Sequence, residues 1–314
     1  MSGETAAQAA AFGALSDETR VSILRELYTV VRAERGRETA VSYSDLQRAV
    51  GAEDSGRFNY HLEQLVGRFV ERTDEGYELR EAGRAVARLL HRGTLTGGAE
   101  FEPRPIETTC RLCGGPLRVA YDDQHLVVTC ENCSGVFGDG GAGGLHAAMD
   151  VPPSAVEARD AAALLAVAVR RFEHRAAMSG GGTCPECCGR VRTELQVCAA
   201  HDPAPETWDY EPRPTEPCAA CGRVVPVVAV TTCESCDRWR FGPPVVAAAD
   251  DQTVRRLLAE RLPAGGWERF AATRWLPTGL RRSEDGWLVE LPSPDGDGTV
   301  AVDDTLSVVE ESAD

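Results

Sequence analysis

Six short metal-knuckle spacings dominate this chain. Cys-x-x-Cys pairs stand at Cys110/Cys113, Cys130/Cys133, Cys184/Cys187, Cys218/Cys221 and Cys233/Cys236, and a Cys-x-x-His stands at Cys198/His201. Two such pairs joined by a short alternating segment place four ligands at one end of a hairpin, which is how closed, four-coordinate zinc sites are built. The phrase "FEPRPIETTCRLCG" from Phe101 returns as "YEPRPTEPCAACG" from Tyr210, and "VVTCENCSGVFG" from Val127 returns as "VTTCESCDRWRFG" from Val230. Chance does not write such a phrase twice, so a repeated structural unit is expected. In each copy Glu-Pro-Arg-Pro reads as a stiff, extended lead-in to the first knuckle, because proline fixes its own backbone and restricts the residue before it.

Taken in chain order, the pairs make three sites. Cys110, Cys113, Cys130 and Cys133 leave 16 residues for a hairpin, "PLRVAY" and "HLVVT". Cys184, Cys187, Cys198 and His201 leave 10 residues, read as a short hairpin in "RVRTELQV", and Cys218, Cys221, Cys233 and Cys236 leave 11. Three Zn2+ ions per chain are expected, in structural roles. The middle site, with the spare Cys188 beside it, is the one whose ligand ambiguity would suit a metal or redox switch. Cys188 otherwise reads as a small packed side chain.

The first hundred residues lack cysteine. "ALSDETRVSILREL" is a helix capped by Ser16 or Asp17, with Val21, Leu24, Leu27 and Val31 at helical spacing. Ser44-x-x-Gln47 reads as a capping box for a helix that stops at Gly51. Asp54 caps the next helix, Ser55 to Val66, whose apolar stripe is Phe58, Leu62, Leu65 and Val66. Its other face offers Ser55, Arg57, Asn59, Tyr60, His61 and Gln64. "FVERT" and "YELR" flank the turn Asp74-Glu75-Gly76, and "EAGRAVARLLHR" returns to helix. Helix, short strand, helix, turn, helix, hairpin, helix is the order of a winged helix-turn-helix.

Through "FGALSDETRVSILREL", "NYHLEQLVGRFVER" and "GYELREAGR" this third of the chain resembles the winged-helix domain of ArsR-type transcriptional regulators, particularly archaeal ones. More loosely, the whole chain resembles haloarchaeal proteins that join such a domain to a zinc-ribbon region. The resemblance implies a DNA-binding regulator, usually a homodimer, with Ser55 to Val66 as recognition helix. A helix fits the major groove, where Arg57 suits guanine and Asn59 and Gln64 suit adenine. Tyr60, His61, Arg68 and Arg72 are placed for phosphate and sugar. Dimer contacts are expected around Glu81 to Arg92 and Ala155 to Met178. The acidic wing tip suits phosphate poorly.

The formal charge is −16, and all 33 basic residues are arginine. Residues 1–97 hold 13 arginines against 15 of the 49 acids, so nearly all the excess acid lies further on. Surface acid without lysine matches proteins adapted to high salt and does not by itself exclude nucleic acid as a partner; the acidic zinc-ribbon region also suits a protein partner. The longest apolar run, Ala161 to Val169, is too short to span a bilayer, and paired cysteines of this kind belong to a reducing cytoplasm. No enzyme is expected: four protein ligands leave no open position for an activated water. The His-x-Glu that accompanies Pro-Cys-x-x-Cys in zinc deaminases is also missing.

The fold class expected is therefore α+β, an N-terminal winged helix-turn-helix followed by tandem zinc β-ribbons with intervening helices. Its segments are 1–97 (DNA binding), 98–145 (first ribbon and Gly-rich linker), 146–182 (linking helix), 183–244 (second and third ribbons) and 245–314 (helix and strand pair, anchored by Trp267, Trp275 and Trp287). The leading function is sequence-specific transcription regulation on double-stranded DNA. The alternatives are a zinc-ribbon protein-interaction module and a metal- or redox-responsive regulator.

Overall fold

A computed structural model describes residues 2–34, 40–96, 99–138, 143–201, 216–263, 265–284, 286–295 and 298–312. The chain divides into two compact units, residues 1–98 with 152–154, and 99–151 with 155–314.

The first unit contains α1 (Ser2–Leu15), α2 (Glu18–Ala33), α3 (Tyr43–Val50), α4 (Ser55–Glu63), the hairpin β1 (Val70–Thr73) and β2 (Gly76–Leu79), and α5 (Glu81–His91). Side-chain caps set three of the helix starts. Asp17 accepts from the N–H groups of Thr19 (2.9 Å) and Arg20 (3.3 Å), and Asp54 from those of Gly56 (2.8 Å) and Arg57 (3.0 Å). The cap of α3 is Ser42, not Ser44: Ser42 Oγ accepts from the Asp45 N–H at 3.2 Å and donates to Asp45 Oδ2 at 2.6 Å. Gly51, at φ 72°, ends α3 in the left-handed region. Ile23, Leu24, Leu27, Leu46, Phe58 and Leu62 meet in one buried core. Val41 and Tyr77 exchange backbone hydrogen bonds of 3.0 and 2.9 Å, adding a bridge to the hairpin. There Gly76 has φ 144°, and a Cβ would lie 2.3 Å from Val41 O, so no other residue fits.

The second unit opens with an antiparallel meander of β3 (Phe101–Thr109), β4 (Pro116–Asp122), β5 (His125–Cys130) and β6 (Gly144–Asp150). Asp123 (φ 41°) and Gln124 (φ 65°) form the two-residue turn between β4 and β5, where Asp122 pairs with His125. The first Glu-Pro-Arg-Pro phrase is the edge strand β3, a position where prolines cost no ladder hydrogen bond and discourage further pairing. The second copy, from Tyr210 to Pro214, lies outside the described residues.

After the one-turn helix α6 (Pro153–Val156) comes α7 (Ala161–Gly180), capped by Asp160. The linking helix expected over 146–182 is therefore shorter: residues 146–150 belong to the strand β6, which a Gly- and Ala-rich sequence does not announce, and the long helix starts at Ala161. Leu164, Leu165, Ala168 and Val169 of α7 bury against Leu117, Val119, Leu126 and Val128 of the meander. Further along, Ala176 joins a different core with Val227, Val245 and Leu257. The breadth of the apolar surface on α7 is explained by these two cores within one chain and requires no second subunit.

A three-stranded sheet follows, in the order β7 (Val191–Val197), β8 (Val227–Cys233), β9 (Trp239–Gly242). Next are α8 (Pro244–Ala247), a turn of 3-10 helix, α9 (Gln252–Arg261) and α10 (Gly266–Thr273). The chain closes on a four-stranded meander, β10 (Gly279–Arg282), β11 (Trp287–Pro292), β12 (Thr299–Val302) and β13 (Val308–Ser312), where only a strand pair was expected. Nor do the three tryptophans share its core. Trp267 packs against α7, Trp275 beside Val136 and Val224, and Trp287 alone against the last sheet.

Candidate metal centres and the α4 surface

All twelve expected metal ligands are brought together, in a different grouping. Cys110, Cys113, Cys130 and Cys133 form the first group as expected. The others are Cys184, Cys187, Cys233 and Cys236, and Cys198, His201, Cys218 and Cys221. The middle site Cys184/Cys187/Cys198/His201 and the last site Cys218/Cys221/Cys233/Cys236 therefore do not exist as groups.

The reason is strand pairing. Val191–Val197 is one continuous strand with alternating exposure, paired antiparallel to β8 from Val191↔Cys233 to Val197↔Val227. Antiparallel pairing puts the start of β7 beside the end of β8, so the knuckles at Cys184 and Cys233 meet at one end of the ladder. Cys198/His201 and Cys218/Cys221 meet at the other end. Seven paired residues at about 3.4 Å each put roughly 20 Å between the two ends. The first group is simpler: the Cys110 and Cys130 knuckles precede β4 and follow β5, and Leu117 pairs with Cys130.

The distances fit a tetrahedral metal. Sγ···Sγ separations are 3.7 Å for Cys110–Cys133, 3.5 Å for Cys113–Cys130, 3.8 Å for Cys184–Cys236 and 3.5 Å for Cys187–Cys233. Four sulfurs bound at about 2.3 Å would stand about 3.8 Å apart. In the mixed group His201 Nδ1 lies 3.5 Å from Cys221 Sγ, and His201 is buried. Backbone N–H groups two residues on donate to Cys110, Cys113, Cys130, Cys218 and Cys233, each at 3.4 Å. These donors hold the Cys233 thiol down to about 7, while burial pushes Cys110 up to about 11 and Cys133 higher still. Four thiolates this close need a cation to share.

The knuckles also account for Cys188. At Cys110, Cys184, Cys218 and Cys233 the cysteine N–H donates to the carbonyl five residues on (2.8, 2.9, 2.8 and 2.9 Å), and its own carbonyl accepts from the N–H four residues on. That fourth residue is left-handed every time: Gly114 (φ 74°), Cys188 (φ 58°), Gly222 (φ 70°) and Asp237 (φ 53°). Cys188 is exposed and fills a glycine position; it is neither a ligand nor a packed core residue. Cys188→Gly should therefore raise stability by about 0.5–1 kcal/mol, since a left-handed residue with a Cβ carries a strain that glycine lacks. Thermal unfolding of metal-loaded protein checks this, with metal content unchanged.

His146, on β6, belongs to no sequence motif. It is 4 % exposed, and its Nε2 is 3.3 Å from Cys110 Sγ. Burial, aided by the nearby Arg274 cation, pushes its pKa down to about 4, so it is neutral and can donate one N–H to the thiolate. That is the orienting partner metal ligands commonly require.

On α4, Ser55, Arg57, Asn59, Tyr60 and Gln64 are exposed, as are Arg68 and Arg72 beyond it. Ser55 is tied to Gln47, whose Nε2 donates to its Oγ at 3.0 Å. Arg68 donates to Ala7 O at 3.3 Å, and Arg72 lies 5.8 Å from the Tyr77 ring centroid. His61 departs from expectation: it is 7 % exposed, with Nδ1 3.3 Å from Asp17 Oδ1, and so cannot present its ring to a ligand on the outer face. The helix itself ends at Glu63, short of Val66.

Together these features define a chain with one helical unit and one unit of small sheets whose ends carry metal-ligand groups. Residues 8–90 match the family described as Domain of unknown function (DUF7347). Residues 107–308, more than half of the chain, match the family described as Domain of unknown function (DUF7351), and the chain belongs to that family. No curated protein and no solved structure matches it. Among the described residues no helix is long and apolar enough to cross a membrane.

Proposed function

We propose that this protein is a sequence-specific, double-stranded-DNA-binding transcriptional regulator, with the first unit as a winged helix-turn-helix of ArsR type and three structural Zn2+ ions in the second. The observation that carries the reading is the outer face of α4. Its inner face, Phe58 and Leu62, is fully committed to the core, while Arg57, Asn59, Tyr60 and Gln64 stand in solvent on a short helix. Arginine, asparagine and glutamine are the side chains that make bidentate contacts to base edges. Arg68 and Arg72 then serve the phosphates. Asp74 and Glu75 keep the hairpin tip away from phosphate, so the helix supplies most of the contact.

Zinc is the metal the donor sets favour, since tetrahedral sites of four cysteines, or three cysteines and a histidine, are characteristic of it. Its part is structural: each ion would clamp the end of a small sheet. A single recognition helix offers little area, so a homodimer is the competent form. Phe12 on α1 is 75 % exposed and Leu89 on α5 38 %, and these helices are the natural faces for pairing. Selection of bound duplexes from a randomised pool tests the reading. An inverted repeat with half-sites about one helical turn apart is expected; recovery of no common sequence would sink it.

A further inference from the structure

The second unit contains a cavity of about 530 Å³ that the DNA-binding reading does not use. Its walls come from β6, α7, β9 and α10, and five arginines line it: Arg171, Arg175, Arg238, Arg240 and Arg274. The carboxylates there are Asp150 and Asp237, with Glu186 alongside. Asp150 serves Arg175 (3.5 Å), Arg238 and His125 (3.4 Å), and Glu186 serves Arg175 (2.6 Å) and Arg240 (2.8 Å). An excess of cation has been gathered into one cavity of a chain whose net charge is −16.

Arg274 is the informative member. It is only 7 % exposed, its guanidinium donates to His146 O at 2.9 Å, and it lies 4.6 Å from the Phe270 centroid and 5.7 Å from that of Phe137. Among the described residues no carboxylate is within ion-pair reach of it. Burial lowers its pKa to about 10, which leaves it charged at neutral pH. A buried cation without a counter-charge is costly, and a cavity beside it is where an anion would relieve that cost. At the rim, Trp239 and Phe241 are 60 % and 41 % exposed and stacked at 5.8 Å and 15°, while Phe172 and Phe270 form apolar wall deeper in.

We propose that this cavity binds a small ligand with a flat aromatic body and one anionic group, carboxylate or phosphate. The anion would pair with Arg274 and its neighbouring arginines, and the ring would lie against Trp239 and Phe241. The volume falls in the range of small-molecule sites, and walls on several sides favour a compact ligand over a polymer strand. The proposal is independent of DNA binding, because it concerns occupancy measured without DNA.

Calorimetric titration of the full, metal-loaded chain with 2-naphthoate, 1-naphthyl phosphate and the uncharged 2-naphthamide tests it. At least one anion should bind about tenfold or more tighter than the amide, the margin of one charge-assisted contact. Which anion binds better tells carboxylate from phosphate. Arg274→Gln, with metal content intact, should abolish the preference for the anion. Should that variant fail to fold, Trp239→Ser at the exposed rim should still weaken all three ligands. Equal affinity for amide and anions, no binding of either anion at about 10 mM, or unaltered binding by Trp239→Ser would each overturn the proposal.

Discussion

Replacing Cys184 and Cys236 together by serine should cost the chain one metal ion, whereas replacing Cys184 and Cys198 together should cost two. The prediction separates the nested grouping from the sequential one, under which the outcomes would be reversed. It follows from the β7–β8 ladder, whose seven residue pairs run from Val191↔Cys233 to Val197↔Val227. The ladder leaves Cys184 and Cys198 at opposite ends. Elemental analysis after dialysis reads the stoichiometry directly. The stability effect should be large, because a structural zinc contributes about 10–16 kcal/mol to a finger-sized unit at neutral pH. The Cys184/Cys198 double variant leaves β7 and β8 unclamped at both ends and should lose amide protection along the whole ladder. The Cys184/Cys236 variant should lose it mainly near Val191. A retained count of three in both variants would remove metal binding from these residues altogether.

The same ladder shows where sequence reading succeeds and where it stops. The candidate ligands are legible in the sequence because a Cys-x-x-Cys turn is a local device, and four of the six knuckles close their own hydrogen bonds within six residues. Ligand grouping was not local. Ten residues between Cys187 and Cys198 can fold back as a hairpin or run on as one strand, and pairing nearest neighbours along the chain favours the hairpin. The cue against it was the unbroken alternation of Val191, Thr193, Leu195 and Val197 with Arg192, Glu194 and Gln196, which is one strand of period two with no turn inside it.

Other features had no such cue. Strand β6 contains Gly144, Ala147 and Ala148, residues with little preference for a strand, and it exists because Cys130 to His125 offer it a ladder. His146 and Arg274 are 128 positions apart and acquire meaning only through the hydrogen bond between them. The apolar stripe expected at Phe58, Leu62 and Leu65 is buried, although Leu65 lies beyond the end of α4 and Val66, the fourth member, is half-buried. His61, a polar residue beside that stripe, turns inward and sets its Nδ1 3.3 Å from Asp17 Oδ1 at the cap of α2. Polarity alone does not say which way such a side chain faces.

That distinction gives the DNA-binding proposal its sharpest test. Alanine at Arg57, Asn59 and Gln64 together should leave folding intact, since all three side chains are exposed. It should lower affinity for the selected duplex by at least two orders of magnitude, because each bidentate base contact is worth about 1–3 kcal/mol. Base preference should relax at up to three positions, while residual binding retains its dependence on salt through Arg68 and Arg72. His61→Ala should behave in the opposite way: preference at each base should be kept, and the loss should appear as a lower melting temperature, because the change empties a buried site beside Asp17. Affinity per folded molecule for the His61 variant, and a preference matrix for the triple variant, distinguish the two. If the triple variant keeps full affinity and preference, α4 does not read DNA.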